Sequence, residues 1–182
     1  SREYAFGDWK QIDWDVLYAT YAPQITAAAS QHNQQAYYLA LLSYTSSIPD
    51  GHVWLEGDDF GARETAVGAG YGLEILGLDD GRILATTITP DGPTANAGMQ
   101  WGAEILSWDD LPIETALAQT PVTWPERRGA PATQEGWRLA QYRLLVRAPV
   151  GTQTTVTFQN PGAIEISEVM VTAVADDKMS HD

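Results

Sequence analysis

Gly92-Pro93-Thr94-Ala95-Asn96-Ala97-Gly98-Met99-Gln100-Trp101-Gly102-Ala103-Glu104-Ile105-Leu106 is the stretch on which the fold turns. Asp91-Gly92-Pro93 bends the chain into a short helix over Thr94 to Ala97, which Gly98 ends. A strand follows at Glu104-Ile105-Leu106-Ser107-Trp108, and Asp109-Asp110 turns it into Leu111-Pro112-Ile113. Upstream, Gly72 to Leu76 and Arg82 to Thr89 are apolar runs joined by Asp79-Asp80-Gly81, a hairpin signal. Downstream, a helix over Gln134 to Arg147 precedes two closing strands, Thr154 to Gln159 and Ile166 to Val174. Between them Gln119 to Thr133 carries three prolines and two arginines and reads as an inserted loop. Short strands mixed with short helices predict an α+β fold.

The front of the chain has a different texture. Asp13 is placed to cap a helix from Trp14, and Trp14, Leu17, Tyr18, Tyr21, Ile25 and Ala28 recur on one helical face. Pro23 has no N–H to donate and is expected to kink or restart that helix. A second helix follows Asn33, with Tyr37, Tyr38, Leu41, Leu42 and Tyr44 as its apolar stripe. Ser46 to Gly51 breaks it, and His52-Val53-Trp54-Leu55 reads as a short strand. Glu56 to Thr65 is polar and reads as a linker. The expected division is a helical domain over 1–58, a β-rich domain over 66–175 with the 119–133 loop inserted, and a 176–182 tail.

With 182 residues, 44% of them hydrophobic, the chain has enough apolar mass for one large core or two small ones. Its 24 Asp and Glu against 10 Lys and Arg give a net charge of −14, which repels phosphate backbones and excludes nucleic acid as a natural partner. The absence of cysteine removes disulfides, thiol catalysis and thiolate metal sites. The Asp-Asp pairs lack calcium-loop spacing and no pair of histidines suits zinc, so no metal or cofactor is implied. No apolar run reaches the ~20 residues a helical span needs, and no signal-peptide pattern opens the chain. Ser1 in place of Met points to processing or trimming.

The Gly92 to Leu106 stretch, together with the Asp109-Asp110-Leu111-Pro112-Ile113 corner, resembles the bacterial PDZ signature. Gly70-Tyr71-Gly72-Leu73 is similar to the PDZ carboxylate-binding loop, with Tyr71 where an aliphatic residue is usual. The resemblance implies a partly open β-barrel with flanking helices over about residues 66 to 175. In the front section, Ile12-Asp13-Trp14-Asp15, Leu17-Tyr18, Tyr21, Pro23 and Asp50-Gly51-His52 resemble the S41 peptidases of the tricorn-like branch. That resemblance implies His52 as the general base of a serine peptidase whose serine lies in an α/β domain following the PDZ domain. No serine in this chain sits in a strand-to-helix elbow, so the catalytic domain is expected outside it and the chain alone is expected to be inactive. The processing roles of the family imply an extracytoplasmic site.

An imidazole titrating near pH ~6.5 suits His52 to taking a serine proton at neutral pH. Asp50 either orients that ring or bonds its own backbone in the turn. The Ser180-His181-Asp182 tail is a coincidence of letters, since three consecutive residues cannot converge as a triad. For binding, Gly70 and Gly72 are expected to turn the N–H groups of Tyr71, Gly72 and Leu73 into an anion nest. A polypeptide substrate or C-terminal peptide would then pair with the Leu73–Ile75 strand by β-augmentation. Trp137, Ala140, Gln141 and Leu144, at helical spacing, would form the opposite wall, unless they simply fill the core. Three functional readings follow: the front of a serine peptidase, a stand-alone peptide-binding scaffold, and a degenerate peptidase that binds without cutting.

Overall fold

A computed structural model describes residues 4–57, 59–124 and 129–176. The chain divides into two compact units, Ser1–Ala62 with Pro125–Trp137, and Arg63–Trp124 with Arg138–Asp182. The 176–182 tail after Asp176 and residues 125–128 of the 119–133 loop lie outside the described residues.

The first unit is built on α1 (Trp14–Ser30) and α2 (Gln34–Ser46). Each starts at a side-chain cap. Asp13 Oδ1 accepts from the amides of Asp15 and Val16 (3.1 and 3.0 Å), and Asn33 Oδ1 accepts from the amide of Ala36 (3.0 Å). Tyr21 packs edge-on against Tyr44 (5.9 Å between centroids), and its hydroxyl lies 2.6 Å from Ser47 Oγ, fastening one helix to the end of the other. Pro23 does not restart the helix: α1 runs through it. One missing N–H costs a single bond, and the turns beside it gain Thr20 Oγ1→Val16 O and Gln24 Nε2→Thr20 O contacts. The strand expected at His52 to Leu55 is not formed. That segment leaves a turn closed by Val53 N→Asp50 O (3.0 Å), and it has no partner strand among the described residues.

The second unit opens with α3 (Ala62–Val67), a helix where the sequence reads as linker; Asp59 turns the chain into it through Gly61 N→Asp59 Oδ1. Strand β1 (Ala69–Gly70) follows, then the hairpin β2 (Leu73–Gly77) and β3 (Ile83–Ile88), and α4 (Pro93–Asn96). β4 (Glu104–Trp108) and the short β5 (Leu111–Pro112) lead into α5 (Ile113–Gln119), which buries Ile113, Ala116 and Leu117. Helix α6 (Gln134–Leu145) ends two residues before the sequence suggests, because Arg147–Ala148 is itself a strand, β6. β7 (Gln153–Gln159), β8 (Ser167–Thr172) and β9 (Val174–Ala175) complete the unit.

Among the described residues all pairings are antiparallel and form two sheets, neither of them closed: β6-β1-β9, and β2-β3-β4-β7-β8 with β5 attached to β4. The final run read as one strand is therefore two, split at Ala173 between the sheets. Phe158, Ile83, Ile105, Leu117 and Val156 are almost completely buried, each worth ~1.5–3 kcal/mol of apolar transfer. They centre a core that includes Tyr71, Leu73, Ile75 and Trp108. The architecture is α+β, with open antiparallel sheets flanked by short helices.

Candidate functional site

Each glycine of the loop has a separate steric reason. A Cβ on Gly68 would meet the carbonyl oxygen of Glu64 at 2.3 Å. One on Gly70 would meet Arg147 Nη1 at 2.7 Å, because that guanidinium crosses β1 on its way to Asp176. Gly72 has φ +80°, the left-handed region, and a Cβ there would also press Pro93 Cδ at 3.1 Å. Tyr71 is no loop residue in contact with solvent. It is buried, stacked edge-on against Trp108 (5.4 Å), and burial, with Asp109 adding to it, pushes its phenol up to about 12.

The signature helix clamps this loop. Thr94, fully buried, donates its amide to Tyr71 O (3.2 Å) and its hydroxyl to Gly72 O (3.2 Å), while Thr89 N also donates to Gly72 O (2.7 Å). In a trans peptide the carbonyl and the following N–H point opposite ways, and no cis peptide is present among the described residues. The carbonyls of Tyr71 and Gly72 are committed to Thr94 of α4 and to Thr89, just after β3. The N–H groups of Gly72 and Leu73 are therefore turned to the other side, at the start of β2. Among the described residues β2 pairs only with β3 and is an edge strand, with no partner strand on its second edge.

The side chains named from sequence behave differently from that backbone. Leu73 and Ile75 point inward and are buried, whereas Glu74 and Leu76 alternate outward. Ala140, Gln141 and Leu144 are buried as well, and Gln141 Nε2 donates to Ala118 O of α5 (3.4 Å). Trp137, half-buried, falls within the first unit rather than the second. Two residues missed in the sequence reading shape the region. Tyr142 places its phenol oxygen against Gly77 at the far end of β2, where only a glycine leaves room. Arg138 covers the Tyr142 ring (5.1 Å), bonds its hydroxyl (3.2 Å) and pairs with Glu114, so α6 is tied to α5. The i, i+4 spacing of Arg138 and Tyr142 was the available signal.

In the first unit His52 has an almost fully exposed side chain beside a buried Asp50. Asp50 Oδ1 accepts from His52 N (2.9 Å) and lies 3.1 Å from His52 Nδ1; Oδ2 accepts from the Tyr4 hydroxyl, and Lys10 Nζ stands 4.0 Å away. A Cβ on Gly129 would lie 2.7 Å from Gly51, so the loop read as an insertion backs this turn. The Tyr4 hydroxyl, then the His52 amide, lower the Asp50 carboxyl from 3.8 to about 2, and the same contact pushes Tyr4 up to about 12. A folded value below the unfolded one stabilises fully above about pH 4, and that stabilisation is lost as pH falls through about 2. Urea titrations across that window should show a loss of about 1 kcal/mol, after allowing for solvent screening, that Asp50→Asn flattens. An unchanged slope in the variant would remove Asp50 as its source.

No protein-family model matches the chain, and no curated protein matches it. Among solved structures, its fold is similar to that of mature CPAF, with TM-score 0.57 and 17% identity over 92% of this chain and 30% of that one. Mature CPAF complexed with lactacystin gives 0.53 and 17%, over 93% and 31%. The chain thus spans less than a third of those structures. A fainter likeness, TM-score 0.37 and 16% identity over 58% of this chain and 93% of the other, is to the PDZ domain of a carboxy-terminal protease from Vibrio cholerae in complex with peptide.

Proposed function

We propose that this chain is the N-terminal and peptide-recognition part of a serine-type endopeptidase of the S41 family, in its tricorn-like branch. His52 serves as general base for a serine on a catalytic domain outside the chain. The PDZ-like unit receives the C-terminal end of a polypeptide. The observation that carries the reading is the pair of N–H groups, of Gly72 and Leu73, turned away from β3 on the side of β2 that has no partner strand. A terminal carboxylate seated there accepts charge-assisted bonds, and the residues before it continue the sheet. Specificity would fall to the outward positions of β2, Glu74 and Leu76, because the inward ones are already committed to the core.

The binding half of this reading needs nothing outside the second unit. Extended peptides with free C-termini should bind at ~micromolar to millimolar affinity, since one short strand buries little surface and must be ordered first. Amidated versions should bind several-fold more weakly by fluorescence or calorimetric titration, having lost the charged acceptor. Equal affinity for acid and amide forms would exclude the carboxylate nest.

A further inference from the structure

We infer that Asp50 is the positioning residue of His52, fixing the imidazole as its Nδ1–H tautomer and leaving Nε2 as the outward basic nitrogen. The inference rests on the peptidase reading only for its kinetic consequence; its structural content stands on the first unit alone.

A neutral imidazole carries one N–H, and an ionised carboxylate only accepts. With Nδ1 3.1 Å from Asp50 Oδ1, the proton belongs on Nδ1. An aspartate that merely turned the chain would accept the His52 amide and leave the ring free. Here the same oxygen takes both the amide and the ring. The carboxylate is itself immobilised. Tyr4 donates to its other oxygen, Lys10 neutralises it from 4.0 Å while donating to Pro49 O, and the Asp50 and Lys10 side chains are each only 11% exposed. His52, by contrast, is 95% exposed. A side chain that open ordinarily samples several rotamers. A buried anion anchored at three points holds one nitrogen and presents the other, which is the arrangement a general base needs. Tyr4 reaches Asp50 across 46 positions of sequence, so the stretch before α1 is part of the device.

The test is the tautomer. In the 182-residue chain labelled with ¹⁵N-histidine, two-bond ¹H–¹⁵N correlation at about pH 8.5, above the imidazole range, reads which nitrogen carries the proton. His32→Gln and His181→Gln identify the His52 signals. The expected result is a pyrrole-type Nδ1 and a pyridine-type Nε2 in the wild type, reverting in Asp50→Ala to the Nε2–H pattern of free histidine. An Nε2–H pattern in the wild type overturns the inference, whatever the variants do. If Asp50→Ala fails to fold by circular dichroism, Tyr4→Phe, which removes one anchor only, should give a mixture of the two patterns; an unmixed Nδ1–H pattern there would remove Tyr4 from the device. In the protein carrying the serine, Asp50→Ala should lower kcat by on the order of 10²–10⁴ with KM little changed. A loss of activity with the tautomer unchanged would make Asp50 merely structural and overturn the proposal. The expected tautomer in a protein whose hydrolysis ignores His52 would instead refute the peptidase reading and leave the positioning intact.

Discussion

Asp176→Ala should destabilise the second unit by about 3 kcal/mol, near the lower end of the range for breaking a buried ion pair. Its partner Arg147 has a side chain only 6% exposed, spread across Gly70, with Nε donating to Val67 O (2.9 Å) and Nη1 to Asp176 Oδ2 (2.7 Å). Among the described residues Nη2 is buried without any hydrogen-bond partner. Removing the carboxylate therefore leaves a guanidinium with a single carbonyl to offset the loss of its hydration. Asp176 keeps some contact with water, which holds the expected cost to the low end. Arg147→Met separates the contributions. It deletes the charge with its desolvation penalty and keeps most of the side-chain volume, so it should cost less than Asp176→Ala despite losing the bond to Val67 O. Urea denaturation of the two variants decides it. An Arg147→Met chain as unstable as Asp176→Ala would mean that the pair is a net source of stability rather than a compensated burden.

That pair also marks where sequence reading stops. The Gly92 to Leu106 stretch was legible because its signals are local: Pro93 opens α4, Gly98 and Gly102 take left-handed φ values of +88° and +81°, and β4 begins at Glu104 as expected. Asp13 and Asn33 caps were legible for the same reason. Helix α5 was not, since its N-cap is Pro112 and no side chain bonds its first turn. Strands β1, β6 and β9 have two residues each and no periodicity to detect; they exist because Gly70 faces both Arg147 and Val174. At the candidate sites, residue types were readable and orientations were not. The alternation along β2 sends Leu73 and Ile75 inward, which depends on which edge is paired. From sequence, Gly70 reads as a residue that helps turn backbone N–H groups into an anion nest. Its neighbours make it a clearance for Arg147, 77 positions away on β6.

On the proposed peptidase reading, His52→Ala in the chain joined to its proposed serine domain should lower turnover by a factor on the order of 10⁴, leaving the fold and the peptide affinity of the second unit unchanged. A serine hydroxyl is a weak nucleophile until a positioned base removes its proton, so loss of the base falls on kcat rather than on binding. Stability should move little. The His52 ring is exposed and its side-chain partner among the described residues, Asp50, retains the Tyr4 hydroxyl, Lys10 and the amide of residue 52. The contrast with Asp50→Ala is informative. That variant removes a buried, four-partner carboxylate and is expected to cost stability as well as turnover, whereas His52→Ala should cost turnover alone. Peptide hydrolysis, acid-form peptide titration and thermal melting on the same preparation separate these effects. Near-normal turnover in well-folded His52→Ala would show that another group takes the proton. A serine–lysine pair within the proposed catalytic domain would then be the better account, with the Asp50–His52 turn serving the architecture of the first unit.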